Sequence, residues 1–210
     1  MKGELRGVDM TILEMGDQID FDPNALRDKY REERDKRLRE DGNDQYIEVT
    51  GDFSHYVDDP YVEPNFLREP ILEEIEVVVI GGGFGGMLAA IRLKEAGIED
   101  IKIIEKGGGF GGTWYWNRYP GASCDIESYV YLPLLEKTGF VPKKKYTDAP
   151  ETLEYCRVLA DKYGLDDIAL MQTEVIATEW DEAARRWTVT TNRQDCLKAR
   201  FVVHSNGPLN

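Results

Sequence analysis

Three glycines, Gly81, Gly83 and Gly86, have the Gly-x-Gly-x-x-Gly spacing of a turn that binds a dinucleotide. The apolar run Val77–Ile80 precedes them and predicts a buried parallel strand, and the segment that follows predicts a helix. In such a turn the first glycine permits the tight bend, the second lets the backbone approach a pyrophosphate, and the third lets the helix pack close to the strand. The first amides of the helix then face the phosphates. Because strand, glycines and helix occur together, we interpret the segment as a dinucleotide-binding turn.

An acidic residue, Glu105, follows the next apolar run, Ile101–Ile104. It lies about 20 residues beyond the glycine turn, where a carboxylate at the end of the second strand can accept hydrogen bonds from both hydroxyls of an adenosine ribose. Taken alone, Glu105 would be interpreted as a solvated acid at a strand end. The glycine turn upstream favours the ribose-binding interpretation.

A second hexapeptide, Gly107–Gly112, repeats Gly81–Gly86 letter for letter. The aromatic segment Thr113–Gly121 follows it and closes with a proline turn, so no amphipathic helix is expected there. We therefore reject it as a second dinucleotide-binding turn. Its glycines and the Thr113 hydroxyl suit a loop that passes close to a bound cofactor and is covered by indole rings. The alternative is a flexible loop whose aromatic residues pack in the core.

The composition of the 210 residues disfavours some classes of function. A net charge of −14 argues against binding to nucleic acid or anionic lipid, and no apolar run is long enough to cross a bilayer. No signal sequence is recognised at the start, so we expect a cytoplasmic protein. Cys124, Cys156 and Cys196 lack metal-binding spacing and are expected to be reduced thiols. The chain has only two histidines as possible metal ligands, so no metal site is expected.

Residues 1–70 are predicted to form an extension ahead of the nucleotide-binding domain, because they are rich in charge and proline and poor in periodic apolar residues. Asp22 and Pro23 predict the start of a surface helix from about residue 23 to 40. Aromatic residues and prolines between 46 and 70 predict an extended arm that packs on the domain surface.

Residues 71–210 are predicted to form an α/β domain with a Rossmann-like sheet. The segment 150–163 has the pattern of an amphipathic helix. Residues 174–180 and 186–191 alternate in polarity and predict a hairpin, and residues 199–204 predict a return strand. We interpret these three strands as a β-meander inserted in the Rossmann-like domain.

Several of these segments together resemble the flavin-binding start of type I Baeyer-Villiger monooxygenases. The resemblance is carried by Gly81–Gly86, Glu105, Gly111–Gly121 and Cys124–Ser128. Two further segments, Pro23–Leu38 and Tyr61–Pro64, are similar to the N-terminal extension of the subgroup that acts on bulky or polycyclic ketones. The resemblance implies a Rossmann-like FAD-binding domain with a β-meander insertion, preceded by a helical and extended arm and incomplete relative to the family.

The resemblance also implies which residues contact FAD. They are Gly81, Gly83, Phe84, Gly86, Glu105, Lys106, Gly112, Thr113, Trp114, Trp116, Arg118, Asp125, Tyr131 and Val175. Asp125 is expected to be catalytic, because its carboxylate would orient an active-site arginine through paired hydrogen bonds. A loop cap is an equally good interpretation of Asp125. His204 is expected to be a packed histidine and not a base, and the residues after it, Ser205-Asn206-Gly207, depart from the Ala-Thr-Gly usual in the family.

In this family NADPH reduces the flavin, and the enzyme uses oxygen to insert an atom beside a ketone carbonyl, which gives an ester or lactone. We therefore expect an FAD- and NADPH-dependent monooxygenase whose NADPH site is not on this chain, because no second dinucleotide-binding turn is found before Asn210. The chain is expected to be inactive alone, and a second polypeptide could carry the missing parts. Two alternatives stay open: another flavoprotein monooxygenase that oxidises nitrogen or sulfur, and a catalytically silent flavin-binding or interaction module.

Overall fold

The computed structural model describes residues 21–45 and 50–207. The chain divides into two compact units, Met1–Val57 and Asp58–Asn210. The cleft described below lies in the second unit.

The first unit contains one α-helix in its described part, α1 (Pro23–Asp35). Asp22 caps this helix, because its carboxylate accepts a hydrogen bond from the Asn24 N–H at 2.8 Å. No residue of α1 is buried, which confirms the prediction of a surface helix. The helix ends at Asp35, earlier than predicted, since no buried side chain holds a further turn in place.

The predicted extended arm between residues 46 and 70 is only partly extended. Residues 46–49 lie outside the described ranges. Gly51–Tyr56 forms a 3₁₀ helix, so the prediction is wrong there, whereas residues 58–70 contain turns and irregular backbone. Residues 58–70 belong to the second unit and pack on it, as the sequence predicts.

The second unit is a mixed α/β domain. Its helices are α2 (Phe84–Glu95), α3 (Thr113–Trp116), α4 (Ser128–Tyr131), α5 (Leu135–Thr138) and α6 (Ala149–Tyr163). Its strands are β1 (Leu72–Ile80), β2 (Ile101–Ile104), β3 (Ala169–Leu170), β4 (Val175–Asp181), β5 (Arg186–Thr191) and β6 (Cys196–His204). Across residues 21–45 and 50–207, no helix combines the length and the apolar character that a bilayer span requires.

The six strands form one sheet in the order β3-β2-β1-β6-β5-β4. Strand β1 is parallel to both of its neighbours, and β4, β5 and β6 form an antiparallel meander that returns beside β1. Ile80 of β1 pairs with Ile104 of β2 on one side and with His204 of β6 on the other, so the three strands end at the same edge. The predicted Rossmann-like fold with a β-meander is confirmed.

Strand β1 is buried on both faces, as expected of a central parallel strand. On one face, Val79 packs in a cluster with Met87 of α2 and Leu159 of α6. On the other face, Val78 packs in a cluster with Val189 of β5. All five side chains are completely buried, so the position of β1 and of its carboxyl end is fixed by packing from both sides.

Candidate functional site

A cleft of about 680 Å³ opens at one edge of the sheet. Ile80, Ile104 and His204, the last residues of β1, β2 and β6, all line it. Ligands of open α/β sheets bind outside the carboxyl ends of the strands, in the crevice where connections leave in opposite directions. The cleft occupies that position, since β1 lies between β2 and β6.

The first glycine turn connects β1 to α2 at this edge. The Gly81 N–H donates to Ile104 O at 2.8 Å, which ties the turn to the neighbouring strand. Gly83 and Phe84, at the start of α2, line the cleft, and the first amides of a helix have no partner within it. Gly86 does not line the cleft; a Cβ atom there would lie 1.8 Å from Gly81 O, so the turn requires glycine for close packing.

Glu105 follows β2, lines the cleft and is only 5% exposed. Its two carboxylate oxygens hold both glycine segments: Oε2 accepts a hydrogen bond from the Gly82 N–H at 2.5 Å, and Oε1 accepts one from the Gly107 N–H at 2.6 Å. Burial raises the pKa of Glu105, and the two amide hydrogen bonds offset this only in part. Lys106 lines the cleft beside it and lies 3.5 Å from the Glu174 carboxylate.

The second hexapeptide forms another part of the cleft wall. The Gly111 N–H donates to Gly82 O at 2.9 Å, and a Cβ atom at Gly112 would lie 2.9 Å from the Cα atom of Gly83, so the two identical hexapeptides are in contact. After Gly112 the chain forms only the four-residue helix α3. The sequence-based rejection of a second Rossmann turn is therefore confirmed.

Aromatic side chains line the cleft beside this loop. Trp114 and Trp116 of α3 and Tyr131 of α4 all lie there, together with Thr113. The Trp114 Nε1–H donates to the Tyr131 hydroxyl at 3.0 Å. The Phe84 ring packs edge-on against the Tyr131 ring, with 5.8 Å between the ring centres. Burial raises the pKa of Tyr131, so it remains a neutral phenol at physiological pH. These contacts fix the orientation of the rings.

Eleven of the fourteen sequence-predicted site residues lie together along the cleft. They are Gly81, Gly83, Phe84, Glu105, Lys106, Gly112, Thr113, Trp114, Trp116, Tyr131 and Val175. Gly86, Arg118 and Asp125 do not line it. The Arg118 Nε–H donates to Tyr115 O at 2.7 Å and its guanidinium lies 3.6 Å from the centre of the Tyr61 ring, while Asp125 is exposed.

The wall formed by β4 and by the residues after β6 contains positions that the sequence reasoning missed. Glu174, Ile176 and Thr178 line the cleft from the β4 side, and Ser205 and Asn206 line it after β6. The signal that could have found them is the parallel pairing of β6 with β1, which brings the end of β6 to the glycine turn.

His204 is exposed and lines the cleft, so the expectation of a packed histidine is wrong. It is the last residue of β6, where the strand leaves the core.

The described residues contain no cluster of three or more His, Cys, Asp or Glu side chains that could hold a metal ion. The thiols of Cys124, Cys156 and Cys196 are free, and the first two are buried. Burial raises the pKa of Cys156 to about 12, so this thiol is unreactive at physiological pH.

Comparison with known proteins relates this chain to oxygenases. Residues 79–137 match a family model described as an NAD(P)-binding Rossmann-like domain. The chain is 48% identical to neopentalenolactone D synthase of Streptomyces avermitilis over 90% of its own length and 32% of that protein. It is 43% identical to a Baeyer-Villiger monooxygenase of Streptomyces coelicolor over 88% of its own length and 31% of that protein. The chain thus spans about a third of the length of the curated relatives it matches.

Solved structures of monooxygenases also superpose on this chain. The polycyclic ketone monooxygenase of Thermothelomyces thermophila superposes with a TM-score of 0.77 at 38% identity, over 88% of this chain and 32% of that one. A steroid monooxygenase bound to NADP superposes with a TM-score of 0.62 at 38% identity, over 65% of this chain and 27% of that one. The first match covers more of the chain than residues 71–210 and so includes part of residues 1–70. The resemblance to Baeyer-Villiger monooxygenases is confirmed, over most of this chain and about a third of the relatives.

Proposed function

We propose, from this relationship, that the chain is the flavin-binding part of an FAD- and NADPH-dependent monooxygenase that inserts oxygen beside a ketone carbonyl to give an ester or lactone. The observation that carries the proposal is the cleft, where the glycine turn, Glu105 and the tryptophan-rich loop meet. Residues 71–210 would form the FAD-binding domain and residues 1–70 an N-terminal extension.

The glycine segments fit the pyrophosphate of a dinucleotide. The first amides of α2 lack partners within the helix, and the positive end of the helix dipole favours an anion there. The two turns are in contact, and a Cβ atom at Gly112 would lie only 2.9 Å from the Gly83 Cα atom. No side chain therefore stands between their amides and a phosphate, and we assign Gly81, Gly83, Phe84 and Gly112 to this contact, with Gly86 supporting the turn.

Glu105 fits the ribose of the adenosine. Each of its carboxylate oxygens accepts one amide hydrogen bond and has a second acceptor position for a ribose hydroxyl. Lys106 and Val175 also line the cleft, and we assign them to the adenosine. A negative charge at this place disfavours the 2′-phosphate of NADPH, so the proposed occupant is FAD and the NADPH site lies outside this chain.

The aromatic wall fits the flavin ring. We assign Thr113, Trp114, Trp116 and Tyr131 to the flavin side of the cleft, where the rings exclude water. Bound flavin, reduced by NADPH, would supply the chemistry that transfers an oxygen atom from O₂ to the ketone. Asp125 is exposed, so its carboxylate is accessible to an arginine supplied by another part of the protein, which we propose that it orients. We propose that Arg118 likewise contacts the cofactor when that other part of the protein is present.

The remaining parts of the proposal concern partners and location. The NADPH-binding and C-terminal parts would lie outside these 210 residues, on a second polypeptide or on a longer form of the same one, and residues 1–210 alone would not turn over a ketone. The net charge of −14 supports a protein that binds neither nucleic acid nor anionic membranes. The free thiols support a cytoplasmic location.

Equilibrium titration of the purified chain with FAD, FMN and NADPH tests the cofactor assignment. We expect FAD to bind with a micromolar or lower dissociation constant. FMN, which lacks the adenosine and the pyrophosphate, should bind at least about 100-fold more weakly, because both contacts in the glycine turn and at Glu105 are lost. A chain that binds no FAD, or that prefers NADPH, contradicts the proposal. A panel of ketones, amines and sulfides, offered to the complete enzyme, then distinguishes Baeyer-Villiger oxidation from oxidation of nitrogen or sulfur.

A further inference from the structure

We propose that Asp59 is a positioning residue, which holds the second hexapeptide in the shape that completes the cofactor cleft. Asp59 lies in the segment 58–71, which leads into β1 and which we call the strap. The inference rests on the proposed binding of FAD in the cleft.

The Asp59 carboxylate joins the strap to the loop through both of its oxygens. Oδ2 accepts hydrogen bonds from the Gly108 N–H at 2.9 Å and from the Tyr115 hydroxyl at 2.7 Å. Oδ1 accepts one from the Tyr61 N–H at 2.9 Å, which fixes the carboxylate within the strap. Hydrogen bonds to a charged acceptor are about twice as strong as neutral ones, so these contacts are suited to fixing a glycine-rich segment.

The strap also explains why position 108 is a glycine. A Cβ atom there would lie 2.0 Å from the Val62 Cγ1 atom, so the strap packs directly against the Gly108 backbone. The Tyr61 ring packs edge-on against the Tyr115 ring, with 5.6 Å between the ring centres, and the Arg118 guanidinium lies 3.6 Å from the Tyr61 ring centre. The glycine at 108 therefore serves the strap and not the cofactor.

The loop transmits these contacts to the cleft. Gly107, next to Gly108, donates its N–H to Glu105, and Gly111 donates its N–H to Gly82 O. Tyr115 stands between Trp114 and Trp116, both of which line the cleft. Burial and then the hydrogen bond to Asp59 raise the pKa of Tyr115 to about 12, so its hydroxyl remains a donor at physiological pH. A change at Asp59 alters the cleft without contact with the cofactor.

The other end of the strap is anchored independently. The Arg68 guanidinium forms two hydrogen bonds of 2.5 Å with Asp195, whose side chain is fully buried. The Ile71 N–H donates to the same carboxylate at 2.8 Å. This anchor holds the strap on the domain, so the position of Asp59 relative to the loop is fixed.

The test compares FAD binding by Asp59→Ala and Tyr115→Phe with binding by Asp58→Ala, the exposed neighbour. We expect about tenfold weaker FAD binding for Asp59→Ala, about threefold for Tyr115→Phe, and less than twofold for Asp58→Ala. In the cofactor-free chain, amide hydrogen exchange at Gly107–Gly112 should be faster in Asp59→Ala and unchanged in β1.

A second control separates positioning from loss of stability. Leu165→Ala removes a fully buried side chain near the C-terminal ends of α2 and α6 that does not line the cleft, and it should lower the unfolding midpoint while FAD affinity stays within twofold. Unchanged FAD affinity and loop exchange in Asp59→Ala would overturn the inference. Equal weakening of FAD binding in Leu165→Ala would also overturn it. Should the unmodified chain bind no FAD, the proposed function fails, and hydrogen exchange alone still decides whether Asp59 positions the loop.

Discussion

The hexapeptides Gly81–Gly86 and Gly107–Gly112 are identical in sequence but differ in structure. The first leads into the twelve-residue helix α2, and the second into the four-residue helix α3. Met87 and Ile91, which follow the first, pack in the core at helical spacing, whereas Pro120 soon follows the second and the chain turns. The residues after the glycines therefore decide whether a helix propagates, because a helix is stabilised mainly by the apolar face that it buries.

The two hexapeptides also differ in what holds them. The first is tied to the adjacent strand end by the Gly81 N–H, a contact that belongs to the sheet itself. Glu105 accepts a hydrogen bond from each hexapeptide, and the second is held in addition by the Asp59 carboxylate and the Tyr115 hydroxyl. Glycine-rich backbone has much conformational entropy to lose, so a segment outside regular structure needs such contacts to keep one shape.

The largest effect is expected at the close contact inside the first turn. Gly86→Ala places a Cβ atom 1.8 Å from Gly81 O, which backbone movement alone can relieve, and we expect a loss of at least about 3 kcal/mol in the free energy of unfolding. Gly85→Ala is the matched control, because the nearest atoms to its Cβ, in Ser205, lie at 3.6 Å. Denaturant unfolding measures both variants. Equal stabilities would show that the first turn does not depend on close packing.

The next effect tests the residue that joins the two hexapeptides. In Glu105→Gln, one of the two amide donors, of Gly82 or Gly107, faces the new NH₂ group and loses its acceptor. We expect FAD affinity to fall about 100-fold, which corresponds to ~2.7 kcal/mol. Glu174→Gln is the control, since it removes the same charge from the same cleft at an exposed position. A similar loss in both variants would mean that charge alone, and not the joint between the turns, governs binding.

A pH titration tests the anchor of the strap that supports the second hexapeptide. Burial alone would raise the pKa of Asp195, but hydrogen bonds from Arg68, Thr191 and the Ile71 N–H outweigh it and lower the pKa from 3.8 to about 2. The unfolded state therefore binds the proton more tightly. The resulting stability is present above pH 3.8 and is lost as the pH falls through about 2. The expected loss is about 2 kcal/mol.

To check this expectation, unfolding free energies of the unmodified protein and of Asp195→Asn are measured between about pH 5 and pH 2, the range over which the carboxyl group titrates. That variant lacks the titrating group and leaves Arg68 without its charge partner, so it should be less stable near neutral pH. Its stability should also depend less steeply on acid. Parallel curves for the two proteins would rule out Asp195 as the source of acid sensitivity.

An effect of about the same size as that at Asp195 is expected at Gly112, the equivalent of Gly86 in the second hexapeptide. Gly112 has a φ of +51°, and a Cβ atom there would lie 2.9 Å from the Gly83 Cα atom. We expect Gly112→Ala to cost about 2 kcal/mol in unfolding free energy, less than Gly86→Ala. Gly121→Ala isolates the backbone strain, because Gly121 has a φ of +85° with nothing within 4 Å of its Cβ position. If Gly112→Ala costs no more than Gly121→Ala, the contact between the hexapeptides contributes nothing to stability.

Local pattern was sufficient to predict much of the fold. The run Val77–Ile80, the glycine spacing and the alternation in 186–191 each report on neighbouring residues, and each predicted element is present. The aromatic segment after Gly112 likewise excluded a second long helix. These predictions succeeded because strand periodicity, helix propagation and turn chemistry depend on residues close in sequence.

Contacts between distant residues were not predictable in the same way. Asp59 meets Gly108 across 49 positions, and Arg68 meets Asp195 across 127. No local pattern marks either pair. The packing of Arg118 against the strap was not predicted, and exposed His204 was expected to be packed, because the surroundings of both residues come from segments far along the chain.

The sequence by itself determined that a glycine turn and a helix follow β1 and that Glu105 stands at the end of β2, since spacing along the chain suffices for both. Only the tertiary structure decided that the two identical hexapeptides touch, that Glu105 holds both of them, and that the strap fixes the second. The physical reason is that a glycine-rich segment has no strong conformational preference of its own. Its conformation is set by the hydrogen-bond donors and acceptors that the fold brings to it from distant parts of the chain.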